Sequence, residues 1–181
     1  MINPISKVKE LEKILRSEII TQSELDEKRV ANSLSIYGET LDKLLNNSIA
    51  DSYEKTDSVI LFELSNRDNP SDISYTDTEE NIIYNKSYRL NLIIYGDSSP
   101  DIANKITMRF RTENVRDNLF NEGVYIEEVT DPSSFNEFIN DVMWLRTDLS
   151  ILLTATFKLS QINKSEEFKE LSDLKIIKKG E

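Results

Sequence analysis

Residues 145–159, LRTDLSILLTATFKL, carry the most regular pattern in the 181-residue chain. Successive side chains of a β-strand point to opposite faces of a sheet, so apolar residues at every second position indicate one buried and one solvated face. Polar side chains occupy the even-numbered positions, with Leu152 as the exception. The pattern predicts a long antiparallel strand. Its apolar face would consist of Leu145, Leu149, Ile151, Leu153, Ala155, Phe157 and Leu159.

Two more strands and a loop are predicted upstream. Residues 58–64, SVILFEL, are short, apolar and rich in strand-forming side chains, and residues 82–95 alternate between apolar and polar positions. Residues 65–81 lie between them and carry Pro, Asn, Ser and acids, which predicts a long loop.

A turn and two helices follow Tyr95. Gly96 permits a sharp change of direction, Pro100 suits a first helical turn, and Ser98 or Ser99 is expected to cap the helix amides. Helical spacing then extends to Phe110, and a second helical piece with Val115 and Leu119 is predicted to end at Gly123. Residues 124–129 form a short predicted strand.

The N-terminal region is predicted to be helical. Asn3 and Pro4 indicate an N-cap and a first helical residue, residues 23–26 (SELD) indicate another helix start, and helical spacing continues over residues 34–45. The apolar face of the first helix would contain Ile5, Val8, Leu11, Leu15 and Ile19.

These elements predict an α+β fold with an antiparallel or mixed four-stranded sheet and helices on one face. Residues 1–56 would be an N-terminal helical region packing on the core, residues 57–160 the α+β core domain, and residues 161–181 a C-terminal tail. The tail is charged, with a weak apolar patch, and we expect it to order only on a partner.

Composition excludes several functions. The chain has no His and no Cys, so a serine nucleophile has no imidazole base, and a zinc site of His or Cys ligands cannot form. The formal net charge of −11 argues against non-specific binding to nucleic acid phosphates and to anionic membranes. No apolar run exceeds four residues, and the N-terminus is charged throughout, so we expect a soluble protein made in the cytosol, without a signal peptide.

Candidate site residues are therefore those of an interface, and no catalytic, cofactor or metal residue is assigned. The polar face of the last strand, the acidic loop and the tail each contribute charged or apolar side chains suited to subunit or partner contacts. They are Arg146, Asp148 and Lys158 on the strand, Asp68, Asp72, Asp77, Glu79 and Glu80 in the loop, and Leu174, Ile176 and Ile177 in the tail.

The order of elements resembles the tail-terminator and neck proteins of tailed bacteriophages over residues 57–160. The stretches that carry the resemblance are LNLIIYGDSSPDIANKITMRF, NLFNEGVYIEEV and WLRTDLSILLTATFKL. In that family a strand ending in a Tyr-Gly-like pair leads into an Ala-containing helix, a Leu and a Gly precede a short strand, and an Arg opens a long last strand. The matching residues are Tyr95, Gly96, Ala103, Leu119, Gly123 and Arg146.

The resemblance implies a structural virion protein that is not an enzyme and uses no cofactor. It implies a ring, commonly of six subunits, that caps the finished tail tube and joins the tail to the head connector. Implied partners are further copies of the chain, the tail tube protein, a connector or adaptor protein, and the sheath of a contractile tail. The location would be the virion neck after assembly in host cytoplasm, with no membrane. An acidic surface would let DNA pass through the channel without adsorbing.

Two other function classes stay open. An acidic protein can mimic DNA and occupy the nucleic-acid site of another protein, which requires a large contiguous acidic face. A metal-dependent hydrolase requires several carboxylates that converge in a pocket. Neither class has a recognisable motif in this chain.

Overall fold

The computed structural model describes residues 3–32, 56–69, 74–77, 81–139 and 142–159. Its elements in chain order are α1 (Val8–Ser23), a short 3-10 helix (Glu27–Arg29), β1 (Val30–Asn32), β2 (Val59–Asn66), β3 (Ser74–Thr76), β4 (Ile82–Tyr95), α2 (Ser99–Phe110), α3 (Glu113–Asn121), β5 (Val124–Val129), β6 (Ser133–Ile139) and β7 (Val142–Leu159). The predicted α+β class is confirmed. The sheet is mixed and has seven strands in the described ranges, so the prediction of four strands was wrong.

The predicted long strand is the centre of the sheet. β7 pairs antiparallel with β4 over the full length of β4, from Ile82 opposite Leu159 to Tyr95 opposite Arg146. The strand order is β1-β2-β4-β7-β5, with β3 added beside β4 and β6 added beside β7. β1 and β2 are parallel, and the other pairings are antiparallel.

One face of this sheet forms the main core, as the alternation predicted. The odd-numbered residues of β7 from Leu149 to Phe157 are buried, and they pack with the three α-helices of the described residues. The helices contribute Leu11, Leu15 and Ile19 of α1, Ala103, Ile106 and Phe110 of α2, and Val115 and Leu119 of α3. Burial of these apolar side chains is the main favourable term for the fold.

The first helix begins later than the sequence predicted. Ile5 forms a parallel bridge with Phe157, and its N–H donates to the Thr156 carbonyl at 2.8 Å while its own carbonyl accepts from the Lys158 N–H at 2.9 Å. These sheet bonds exclude Ile5 from the helix, so Val8 is the first helical residue. The Glu10 carboxylate accepts hydrogen bonds from the Ser6 hydroxyl and N–H, which lower the pKa of Glu10.

The predicted helix start at residues 23–26 is wrong. Ser23 is the last residue of α1, and Glu24 takes the left-handed conformation that ends a helix (φ 60°). The chain then passes through the 3-10 helix into β1, which extends the sheet. The helical spacing at residues 34–45 and the predicted tail, residues 161–181, lie outside the described residues.

The turn after β4 is structural, but its serines do not cap the helix with their side chains. Ser98 is the N-cap residue and makes no side-chain capping bond. Ser99 is fully buried, and its hydroxyl contacts the Leu145 carbonyl at 3.4 Å and the Thr147 hydroxyl at 3.1 Å. The turn therefore ties α2 to β7, because Ser99 faces the strand and not the free amides of its helix.

Three strands are absent from the sequence prediction. β3 lies within the predicted loop and pairs with the start of β4, and β1 lies within the predicted helical region. β6 pairs with the first part of β7, from Ser133 opposite Asp148 to Ile139 opposite Val142. All three strands are short or exposed, so no buried face imposes an alternating pattern on them.

Gly96 is a strict steric requirement of the fold. Its φ is +117°, and a Cβ placed there would lie 2.5 Å from the Asp57 carbonyl oxygen and 2.9 Å from the Ser58 Cα. We expect Gly96→Ala to lower the free energy of unfolding by about 2–4 kcal/mol, from backbone strain and the clash with backbone atoms. The exposed neighbour variant Ser98→Ala serves as the control and is expected to change stability by less than about 0.5 kcal/mol. Equal unfolding midpoints for the two variants in urea would contradict this account.

Candidate functional site

Arg146 is the centre of an ion-pair group on the second face of the sheet. Its Nε and Nη2 donate to the two carboxylate oxygens of Asp148 at 2.7 and 2.8 Å, and its Nη1 donates to Glu137 Oε2 at 3.1 Å. The guanidinium also lies over the Phe135 ring, 5.1 Å from its centroid. Such bidentate, charge-assisted bonds fix orientation strongly. Arg146 of β7 therefore links β6 to β7 within one subunit.

Tyr95 completes this group from β4. Its hydroxyl donates to Glu137 Oε2 at 2.7 Å. Burial, and then the bond to Glu137, raise the pKa of Tyr95 well above its usual value. The bonds to Asp148 raise the pKa of Arg146, with a smaller contribution from Glu137. The tyrosine thus stays protonated and the arginine charged across the ordinary pH range, so neither of these two side chains is suited to proton transfer near neutral pH.

The third predicted charge of β7 lies at the other end of the strand. Lys158 forms an ion pair with Asp77 at 3.4 Å, and Asp77 also accepts hydrogen bonds from Asn81. Lys158 lies twelve positions after Arg146, which is about 40 Å along an extended strand. The predicted interface charges consequently form two separate groups, although they share one sheet face.

The remaining predicted residues divide between exposed and undescribed positions. Asp68 is exposed after β2. Six predicted residues lie outside the described ranges: Asp72, Glu79, Glu80, Leu174, Ile176 and Ile177. An interface role for all of the predicted residues stays a prediction.

Separate pairs of hydrogen-bonded polar side chains lie between the two charged groups on the second face. Ser150 donates to Asn91 at 2.8 Å, and Thr156 donates to Asn85 at 2.9 Å. Glu127 accepts from Thr154 at 2.5 Å and pairs with Arg67. The sequence predicts a regular short strand over residues 124–129, whereas the strand pairing shifts between Ile126 and Glu128. Such a bulge re-aims a side chain and cannot be read from the local residue types.

The β6–β7 hairpin presents an exposed apolar patch that the sequence analysis missed. β7 begins four residues before its pairing with β4, so its residues 142–145 pair with β6 beyond the end of β4. Phe138 and Met143 are opposite each other there and are 74% and 47% exposed, and Phe135 is 43% exposed. Phe135 is opposite Arg146 and contacts its guanidinium, so it lies on the other face of the hairpin. We name Phe138 and Met143 the hairpin patch. Large exposed apolar side chains clustered in this way are typical of protein contact surfaces.

The outer edge of β5 differs from this patch because arginines cover it. Arg116 of α3 donates to the Ile126 carbonyl at 2.5 Å, and Arg111 donates to the Val129 carbonyl at 2.8 Å. Arg111 also pairs with Asp131 at 2.8 Å. Carbonyls bonded in this way cannot accept hydrogen bonds from an added strand, so β5 is a protected edge.

The described side chains of these groups hold strands and helices together. Within the described ranges, no cluster of three or more acidic residues is arranged to hold a metal ion, and no helix there is long and apolar enough to cross a membrane.

Comparison with known proteins defines the family. Residues 33–179 match the family described as phage neck terminator protein, which is well over half of the chain. The chain therefore belongs to the phage neck terminator family, as the resemblance predicted. No curated protein matches it. Membership indicates a structural role at the neck of a bacteriophage, in contact with other tail and head proteins.

Charge reversal at Arg146 tests the stability of the subunit before it tests any interface. Arg146→Glu would leave its carboxylate beside Glu137 and Asp148, so we expect the free energy of unfolding to fall by at least about 2 kcal/mol. Arg146→Lys keeps the charge but loses the bidentate geometry, and a smaller loss is expected. The matched control is Arg89→Glu on the exposed side of β4, with an expected change below about 0.5 kcal/mol. Denaturant unfolding of the three variants measures the losses in the free energy of unfolding. Equal losses for Arg146→Glu and Arg89→Glu would refute the stabilising role of the Arg146 ion pairs.

Proposed function

We propose that this chain forms a ring in the phage neck that caps the tail tube and joins the tail to the head connector. The observation that carries the proposal is the family match over residues 33–179. The ring is expected to contain six subunits, by the resemblance described above. Its partners would be the tail tube protein, the connector or an adaptor, and the sheath of a contractile tail. The role is one of assembly in the host cytoplasm and of mechanical joining in the virion, and it needs no chemistry.

The different edges of the subunit support a head-to-tail contact. The edge of β5 is covered by Arg111 and Arg116, whereas the β6–β7 hairpin extends beyond the sheet and exposes the hairpin patch. A patch at one end of a subunit can meet a different surface on the next copy. Contacts between unlike surfaces repeat around an axis and close into a ring when the rotation fits.

The charge of the chain suits a channel for DNA. The formal net charge is −11, so a ring of six copies would carry a large negative charge. Acidic walls repel phosphate and keep DNA from adsorbing as it passes. The exposed acid Asp68 is a candidate for this wall or for a subunit contact, as are Asp72, Glu79 and Glu80.

Electron microscopy of the purified protein tests the ring directly. We expect rings in the presence of tail tubes, located at the tube ends, and either monomers or rings without tubes, since closure can wait for the tube. Mass measurement in solution gives the copy number. A stable dimer with two-fold symmetry, unchanged by added tubes, would overturn the proposal and favour the acidic DNA-mimic function.

The hairpin patch provides a second test of assembly. Phe138→Ser removes a large apolar side chain that is exposed in the subunit, so we expect weaker ring formation with an unchanged melting temperature. Met108→Ser is the matched control, because Met108 is 71% exposed on α2, away from the hairpin. Ring counts in micrographs and circular dichroism melts measure the two effects. Equal ring formation by both variants would exclude the patch from the ring contact.

A further inference from the structure

In the part of the chain that the structure describes, β6 pairs on one side only, with β7. The Ser150 N–H donates to the Thr130 hydroxyl, and its carbonyl accepts from the Thr130 N–H, so even-numbered residues of β7 direct their backbone groups toward β5 and β6. The Leu145 carbonyl accepts from Gly96, so odd-numbered residues direct theirs toward β4. Residues opposite each other in an antiparallel pair share this alternation. Asn136 lies opposite Leu145, so its N–H and carbonyl point away from β7.

The same alternation applies to Ser134 and Phe138, which gives three outward-facing residues on a seven-residue strand. Within the described ranges no arginine covers these backbone groups, in contrast to the carbonyls of β5. A long edge strand with exposed apolar side chains is a ready template for a strand from another chain. Among the described residues, β6 is therefore an edge at which strand addition is sterically and chemically open.

We propose that β6 accepts residues 174–179, LKIIKK, of a second copy of this chain as an added strand. The inference rests on the proposed self-assembly and names the contact through which it occurs. The main-chain bonds of β-augmentation would supply affinity, and alternate side chains would supply specificity.

Charge and side-chain pattern favour this occupant. Residues 131–148, which include the hairpin, contain the acids Asp131, Glu137, Asp141 and Asp148. Arg146 pairs with Glu137 and Asp148, and Arg111 pairs with Asp131, so four acids face two arginines and an acidic excess remains. The six-residue segment contains three Lys and no acid. Leu174 and Ile176 would lie on one face of the added strand, next to exposed apolar side chains such as Phe138. Opposite charges and aromatic–aliphatic neighbours across strands each stabilise a pairing by about 0.2–1 kcal/mol.

The distance that residues 160–173 would have to span favours the tail of a second copy over the chain's own tail as the added strand. β7 ends at Leu159, and the distance back along it to Leu145, opposite Asn136, is fourteen residues or about 46 Å. The fourteen residues 160–173 span at most about 50 Å when fully extended. A tail that returned to its own β6 would have to be stretched nearly straight, and each ordered residue costs about 1–2 kcal/mol of backbone entropy. A neighbouring copy can approach without this constraint.

Cysteine cross-linking tests the pairing, because the natural chain contains no cysteine. One batch carries Asn136→Cys, and a second batch carries a single Cys at each of residues 174–179 in turn. Paired strands bring Cα atoms within the 4.4–6.8 Å that a disulfide requires. We expect a disulfide between two different chains at one or two tail positions after the batches are mixed with tail tubes. Asn118→Cys on exposed α3 replaces Asn136→Cys in the control and should form none.

A chain that carries both Asn136→Cys and a tail cysteine distinguishes pairing with its own tail from pairing with the tail of a second copy. A disulfide within one chain would overturn the proposal in favour of the chain's own tail. No disulfide at any position would also overturn it. If micrographs still show rings in that case, the proposed function stands and only this contact fails. If neither rings nor disulfides form, both fail.

A proline at position 136 gives an independent test of strand pairing at the β6 edge. Asn136→Pro removes one outward N–H and leaves the bonds between β6 and β7, so the melting temperature should stay within a few degrees of wild type. Self-association should weaken by about two- to tenfold for each contact, the value of one lost hydrogen bond. Asn136→Ala keeps the N–H and should associate as wild type does. Equal association of the Pro and Ala variants would refute pairing at this edge.

Discussion

The antiparallel ladder between β4 and β7 is the interaction on which the rest of the structure depends. Its fourteen residue pairs run without a register shift from Ile82 opposite Leu159 to Tyr95 opposite Arg146. Most other sheet elements attach to one of its two outer edges: β2 and β3 beside β4, and β5, β6 and the Ile5 segment beside β7. β1 then attaches to β2. A slip of one residue would move the buried side chains of a strand to the opposite face, so core burial holds this register.

The unequal lengths of the two strands create the surface on which the proposed assembly depends. β7 has eighteen residues and β4 has fourteen, so the start of β7 continues past the sheet together with β6. At the point where β4 ends, Arg146 binds Glu137 and Asp148, and Tyr95 binds Glu137. This group anchors the base of the hairpin. On the same face Trp144, Val142 and Ile139 pack with Val59, Leu61 and Tyr95, whereas Phe138 and Met143 are exposed on the other face.

Prediction from sequence succeeded where one face of an element is buried and failed where it is not. The alternation in residues 145–159, the spacing of Ile106 and Phe110, and the strand at residues 124–129 all follow from packing against a single core. β3 is exposed at all three positions and β6 at most of its seven, so neither carries a periodic signal. The helix start at Asn3 failed for a different reason: sheet bonds to Thr156 and Lys158 compete with the helix for the backbone of Ile5.

The amino-acid sequence by itself determined which faces are apolar, where the chain turns at Gly96 and Gly123, and that no histidine or cysteine chemistry is available. It also carried enough of the order of elements to indicate the neck terminator family. Only the tertiary structure decided the partners of the charges. Arg146 meets Glu137 because β6 pairs with β7, and it lies beside Tyr95 because β4 pairs with β7 in one register. Local residue patterns encode burial, whereas ion pairs depend on strand pairings between distant segments, which no local pattern records.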